Sequence, residues 1–215
     1  MLLWTTMLAC APDPGADKPK AEVVEAPAPP AAPAPAPDPG GALTAPTITA
    51  PTVLAVDPGR SELGALGAKV TATHPIVFHD FVGAVGMDGD QVTTLSFAVD
   101  MRTLEADKPK LTGHLKNEDF FDVEKFPTAT FTAVSLAPST EAGATHQVTG
   151  DLTIHGTTKR VAFPATVAVG ATEVTASTEF VIDRKDFGVV YPGKPDDLIK
   201  DNVVLKVRFT APRGA

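Results

Sequence analysis

Five stretches between residue 91 and residue 211 share one pattern: apolar and polar side chains exchange places at every second position. "QVTTLSFAVDM" (91–101) puts Leu95, Phe97, Val99 and Met101 on one face. "THQVTGDLTIHG" (145–156) does the same with Val148, Gly150, Leu152 and Ile154. "RVAFPATVAVG" (160–170) aligns Val161, Phe163, Ala165 and Val167, and "EVTASTEFVID" (173–183) aligns Ala176, Thr178, Phe180 and Ile182. "NVVLKVRFTA" (202–211) sets Val203, Leu205, Val207 and Phe209 against Val204, Lys206 and Arg208. A period of two is that of a β-strand with one buried face. Further strands are expected at 62–73, 78–88 and 128–137.

The joints between these strands are short. "MDGDQ" (87–91) and "HGTTK" (155–159) carry Gly where a positive φ is easily adopted, and "VAVGATEV" turns at Gly170. Short links between successive strands imply an antiparallel meander. The predicted class is therefore all-β, most simply an antiparallel up-and-down β-barrel of about eight strands, with a two-sheet sandwich as the competing architecture.

One segment interrupts the meander. "KPKLTGHLKNEDFFDVEKFP" (108–127) does not alternate and is long for a hairpin link. A short helix is expected near 110–116, with Asn117 as a candidate cap, inside a helical excursion over about 104–120. Phe120 and Phe121 sit among Glu118, Asp119, Asp122 and Glu124. The reading adopted is that both rings fold over a barrel opening, one into apolar interior and one beneath the excursion, while the acids stay in water.

The chain has 215 residues and a net charge of −8, which suits one domain plus an extension. The acidic balance and scattered Lys and Arg argue against wrapping a nucleic-acid backbone. The single cysteine, Cys10, excludes an internal disulfide. "MLLWTTMLACAPDPG" is similar to a bacterial lipoprotein signal over residues 1–10, with Leu8-Ala9-Cys10 as the lipidation site, although no charged residue precedes the apolar run. Residues 11–52 are rich in Pro and Ala and are expected to be a disordered, extended spacer that holds the barrel domain, 53–215, away from a membrane.

Four stretches together resemble the YceI-like family, a group of polyisoprenoid-binding, lipocalin-like periplasmic barrels. They are "VDPGRSELG" (56–64), "HLKNEDFFDVEKFPTATF" (114–131), "GDLTIHGTTKRVAF" (150–163) and "FVIDRKDFGV" (180–189), in order, over about 53–211. The aromatic that opens the family's first segment is replaced here by Val53, Leu54 and Ala55, and "KVTATHPIVFHDFVG" is short and carries two His.

On the residues alone, Gly150, Ala165, Ala176 and Thr178 among the aromatic rows read either as room for a ligand or as space taken up by neighbouring rings. The resemblance favours room. It implies a non-enzymatic binding, transport or sequestering domain in the cell envelope for a long-chain lipid of polyisoprenoid or isoprenoid-quinone type. The lining would be Phe78, Phe81, Leu95, Phe97, Val99, Phe131, Leu152 and Ile154 on one side. Phe163, Phe180, Ile182, Leu205 and Val207 would face them, with Phe120 and Phe121 above. The membrane would be reached through Cys10, or the protein secreted if that residue is unmodified, and a homodimer stays open. The competing function is an envelope stress or interaction domain that uses the barrel as a scaffold without a small ligand.

Other chemistries have little in the sequence to rest on. No Gly-x-Ser-x-Gly elbow, HExxH or P-loop occurs, so no catalytic residue is assigned and no cofactor is expected. His74 and His79 are five apart, on opposite faces of a strand, and no metal site is assigned to them. Asp183 and Arg184 are read as locking a loop, with Gly188 supplying a turn, and His114 and Asp119 as orienting theirs.

Overall fold

The computed structural model describes residues 13–27, 43–195 and 197–214. The signal-like segment with Cys10 and most of the Pro/Ala run lie outside them. The first strand is β1 (Glu22–Glu25), followed by β2 (Thr52–Ala55), β3 (Glu62–Ala68), β4 (Thr73–Phe78), β5 (Phe81–Asp88) and β6 (Gln91–Asp100). After β7 (Leu104–Ala106) comes α1 (Pro109–Lys116), then β8 (Thr128–Pro138), β9 (His146–Ile154), β10 (Thr157–Val169) and β11 (Glu173–Asp183). A two-residue hairpin, β12 (Gly193–Lys194) and β13 (Asp197–Leu198), precedes β14 (Asn202–Pro212).

The strands form a curled antiparallel sheet in the order β2-β5-β6-β8-β9-β10-β11-β14-β3-β4-β7. Residues 52–68 bring its two ends together. Their first half pairs with β5 and their second half with β14, and at the changeover Val56 N–H donates to Gly83 O and Asp57 N–H to Thr210 O. Asp57 also accepts from Gly59 N–H, capping the 3-10 turn that bends the segment. The expected up-and-down barrel is thus present, with 52–68 and 73–88 each acting as one bent strand.

The strand expected at 62–73 ends at Ala68, and residues 73–78 form a separate strand. Pro75 is tolerated there because β7 reaches only as far as Ile76, so no bond on that side needs the missing N–H. The turn over residues 155 and 156 has φ of 50° at His155 and 71° at Gly156, the pair of positive values a tight hairpin requires. The excursion begins at Asp100, which caps the 3-10 turn Met101–Thr103, and α1 occupies Pro109–Lys116 with Asn117 at its C-terminal end.

The spacer expectation needs correction at both flanks of the Pro/Ala run. β1 pairs with β10, Glu22 opposite Ala162 through Glu25 opposite Lys159. Just before it, Lys20 bridges β11 at Val181, with Ala21 N–H donating to Val181 O at 2.8 Å and Val181 N–H to Pro19 O at 2.9 Å. The β10–β11 ladder runs only from Thr166/Ser177 to Val169/Val174. It stops two residues short of Pro164, which has no N–H to offer. Beyond it the two strands diverge, and residues 19–25 enter the gap as an extra strand, with Ala21 buried in the barrel core. "AEVV" carries just enough apolar surface and β propensity to do this. On the other flank, Pro46 O accepts from Ser96 Oγ at 2.7 Å, and Ala50 packs on Gly86, so this stretch covers the outer face of β5 and β6.

Candidate functional site: an apolar cavity in the barrel

The inner faces of the strands do not meet. They enclose a cavity of about 540 Å³ whose lining is almost wholly apolar, within the size range of about 300–1,000 Å³ usual for small-molecule sites. Two apolar clusters surround it. One, in the barrel body, includes Leu95, Phe97, Leu152, Phe163, Phe180 and Phe209. The other, towards the excursion, includes Ile76, Met101, Leu115, Phe120 and Val189.

Aromatic rings form much of the body. Phe163 and Phe180 stack with centroids 3.9 Å apart, Phe131 leans on Phe163 at 5.7 Å, and Phe97 meets Phe209 at 5.3 Å. The small residues of the inner rows divide by position. Ala165, Ala176 and Thr178 border the cavity. At Gly150 the space is taken: a Cβ there would lie 2.6 Å from Phe131 Cε2 and 2.6 Å from Thr132 O. Gly150 therefore serves ring packing.

Of the expected lining residues, Phe78, Leu95, Phe97, Val99, Phe120, Phe121 and Phe131 border the cavity, as do Leu152, Ile154, Phe163, Phe180, Ile182, Leu205 and Val207. Phe81 does not. It lies opposite Val99 and so on the inner face, but it is consumed by the core of the barrel body.

The excursion and residues 184–201 close over one end. Phe120 is 6% exposed and Phe121 half-buried. Phe121 N–H donates to Leu115 O, and Phe120 and Asp122 N–H both donate to Asn117 O, so the turn after α1 is folded back on the helix. Asp122, at φ 43°, makes the reversal. Phe120 packs against His114 at 5.0 Å and Tyr191 at 5.3 Å, and His114 against Tyr191 at 5.2 Å, joining the excursion to the 184–201 segment. His114 Nε2 also meets Asp119 Oδ2 at 2.9 Å, an orienting contact within the turn.

Arg184 holds the opposite segment. It is buried, donates from Nη1 to Val189 O at 2.6 Å and from Nη2 to Asp201 Oδ1 at 3.0 Å. Its locking role stands, but the partner is Asp201, while Asp183 caps the turn by accepting from Lys185 N–H. Gly188, at φ 77°, closes that turn. The hairpin β12–β13 is tied to the end of β3: Asp197 pairs with Lys69 and accepts from Thr71 Oγ1 at 3.0 Å. The Lys69 ammonium, hydrogen-bonded to Asp197, holds that carboxyl below its usual range against the opposing effect of desolvation, with Thr71 assisting. His74 meets Asp107 at 2.8 Å and His79 meets Glu105 at 2.9 Å, so the two imidazoles serve different contacts. No cluster suited to a metal ion occurs among the described residues.

Sequence reasoning missed Tyr191, Leu111, Leu115, Val189 and Ile199 as lining residues. The available signal was Tyr191, the chain's sole tyrosine, standing in a link that does not alternate.

The YceI-like domain family matches residues 54–211. A UPF0312 protein of Pseudomonas fluorescens (strain SBW25) is 32% identical over 137 residues, 60% of this chain and 70% of the relative. A UPF0312 protein of Pseudomonas syringae pv. syringae (strain B728a) is 31% identical over 124 residues, 54% of this chain and 64% of the relative. The chain thus spans about two thirds of the length of such relatives. Among solved structures, Burkholderia cenocepacia BcnA superposes with a TM-score of 0.64 at 25% identity, covering 73% of this chain and 99% of that one. A polyisoprenoid binding domain from Saccharophagus degradans, implicated in plant cell wall breakdown, shares the fold at a TM-score of 0.60 and 15% identity, over 74% of this chain and 98% of that one.

Proposed function

The chain belongs to the YceI-like domain family, and we propose that its barrel binds one long-chain amphiphile of isoprenoid type without transforming it. The observation that carries this reading is the cavity of about 540 Å³ with its apolar lining. An apolar chain gains about 0.8 kcal/mol for each methylene removed from water, so roughly ten buried carbons supply about 8 kcal/mol with no chemistry beyond shape. The aromatic bridge of His114, Phe120 and Tyr191 closes one end over the chain. The polar end of the ligand stays at the mouth.

Transport or sequestration in the cell envelope fits such a carrier, with lipidation of Cys10 as its membrane link. The scaffold reading calls for a filled interior, which a cavity of this size disfavours. Native mass spectrometry of the full chain purified from its own host tests the proposal. The expected spectrum carries an adduct that extracts into organic solvent as a long-chain lipid. A protein that stays ligand-free there, and that fails to take up isoprenoid alcohols offered in excess, overturns it.

A further inference from the structure

The seams of the barrel wall are not equally closed. The β11–β14 ladder is continuous from Glu173 opposite Pro212 to Asp183 opposite Asn202, and the β9–β10 ladder from Ile154 opposite Thr157 to His146 opposite Ala165. Between β10 and β11 the ladder ends at Thr166 opposite Ser177. Past it Thr178 Oγ1 still donates to Pro164 O at 2.7 Å before the strands part. That carbonyl faces β11, so the N–H that Pro164 lacks would have faced it too, and β10 cannot continue the ladder there. From this point residues 19–25 stand between the two backbones. Phe163, Phe180 and Ile182, which flank the seam, also border the cavity. The seam is therefore a section of cavity wall that the ladder of the barrel leaves open and the early segment closes.

That segment is lightly held. Ala21 is the one buried residue in 13–27, Val23 is half-buried, and Glu22, Val24 and Glu25 are exposed. Its ion pairs, Lys18 with Glu179 at 2.5 Å and Glu25 with Lys159 at 2.6 Å, lie at the surface, where such pairs contribute little. A segment with few buried apolar contacts and exposed backbone bonds opens locally before the rest of a fold does. The two ends of the cavity are better secured. One is covered by the bridge of His114, Phe120 and Tyr191 and by the buried Arg184, the other by the buried Val85, Met87 and Val174. Passage of a chain at either end disrupts buried packing, whereas at the seam it displaces a surface strand.

We infer that residues 13–25 are a lateral gate: their release opens the β10–β11 seam, and the apolar chain of a ligand enters and leaves the cavity sideways. This rests on the reading of the cavity as a chain-binding site. The gate lies outside residues 54–211, the part of the chain that matches the family.

The test pins the gate shut. Glu22 and Ala162 face each other across β1 and β10, and neither borders the cavity. In the full chain carrying Cys10→Ser, Glu22→Cys combined with Ala162→Cys places a disulfide between them. Stopped-flow uptake of a fluorescent long-chain alcohol is then followed before and after reduction. The oxidised protein should take up and release the alcohol at least about tenfold more slowly than the reduced protein, the effect of a barrier raised by about 1.4 kcal/mol. Its equilibrium affinity should be unchanged, because a gate sets rates and leaves the occupied state alone. Ala21→Asp, which frees the segment, should speed uptake, and it carries the test if the disulfide does not form. Equal rates in the oxidised and reduced forms, or in Ala21→Asp and the native protein, overturn the gate and leave the chain-binding cavity intact. A disulfide that weakens affinity without slowing uptake makes the segment a fixed part of the wall and also overturns the gate. A native protein that takes up no alcohol overturns the gate and the chain-binding reading together, which separates the cases.

Discussion

The Phe163 and Phe180 rings lie face to face, with centroids 3.9 Å apart and planes within 2° of parallel. Phe163 is on β10 and Phe180 on β11, where the hydrogen-bonded ladder between these strands has already ended. The stack holds the two strands together on the inside, while residues 19–25 fill the gap between their backbones. Replacing Phe180 with Ala removes the stack and enlarges the cavity. It should cost about 3 kcal/mol, at the level of other buried Phe truncations, and guanidinium denaturation reads the loss directly.

Gly150→Ala should also destabilise, for the opposite reason. The new methyl meets Thr132 O at 2.6 Å, which is backbone, as well as the Phe131 ring. Overpacking of this kind costs about 1–3 kcal/mol. Adding Phe131→Leu should recover part of the loss, because the ring clash is relieved while the backbone clash stays. A denaturation double-mutant cycle measures the recovery, and strictly additive losses would show that the ring is not the obstacle.

Ala21→Asp tests whether the early segment is part of the barrel. Ala21 is 5% exposed and belongs to the core cluster, so a carboxylate there is buried without a partner. Residues 13–27 should detach, and amide hydrogen exchange at β1 should rise well above the native rate while β8 and β9 stay protected. Unchanged protection at β1 would mean that the segment does not need Ala21 to hold its place.

Acid should loosen the β12–β13 hairpin only below the ordinary carboxylate range. The Asp197 pKa is lowered in the folded protein, chiefly by its hydrogen bond from Lys69. A lowered carboxylate contributes stability that is complete above its unfolded value of about 4 and is lost as pH falls through the folded value. Hydrogen exchange at the β12–β13 hairpin should therefore be flat, after correction for intrinsic rates, between about pH 8 and pH 5. It should rise only below about pH 4, and Asp197→Asn should abolish that rise. Glu179 follows the same sign through its hydrogen bond from Lys18, so the early segment should loosen in the same acid window.

What the sequence reveals follows from how local its causes are. The inner faces of β9, β11 and β14 are legible because side-chain direction in a strand depends on parity alone. The turn at His155 and Gly156 is legible from turn chemistry, and α1 from the break in alternation. What depends on distant partners is hidden. Phe81 has the parity of a lining residue, but its depth is set by packing across the barrel. Arg184 advertises a lock without naming Asp201, which lies 17 positions away. Residues 19–25 read as spacer because Pro and Ala dominate their surroundings, and because the gap they fill exists only once Pro164 has ended the β10–β11 ladder. Tyr191 sits in a link with no period to assign it a side.

The proposed binding mode places the chain of a ligand in the space beside Ala165 and Ala176. Ala176→Phe fills that space from the wall, and a fluorescent long-chain alcohol reports occupancy by titration against the native and substituted proteins. With circular dichroism showing both folded, the substitution should weaken binding at least about tenfold, the equivalent of about 1.4 kcal/mol of lost chain burial. Undiminished binding by the folded variant would place the ligand elsewhere and contradict the cavity as the functional site.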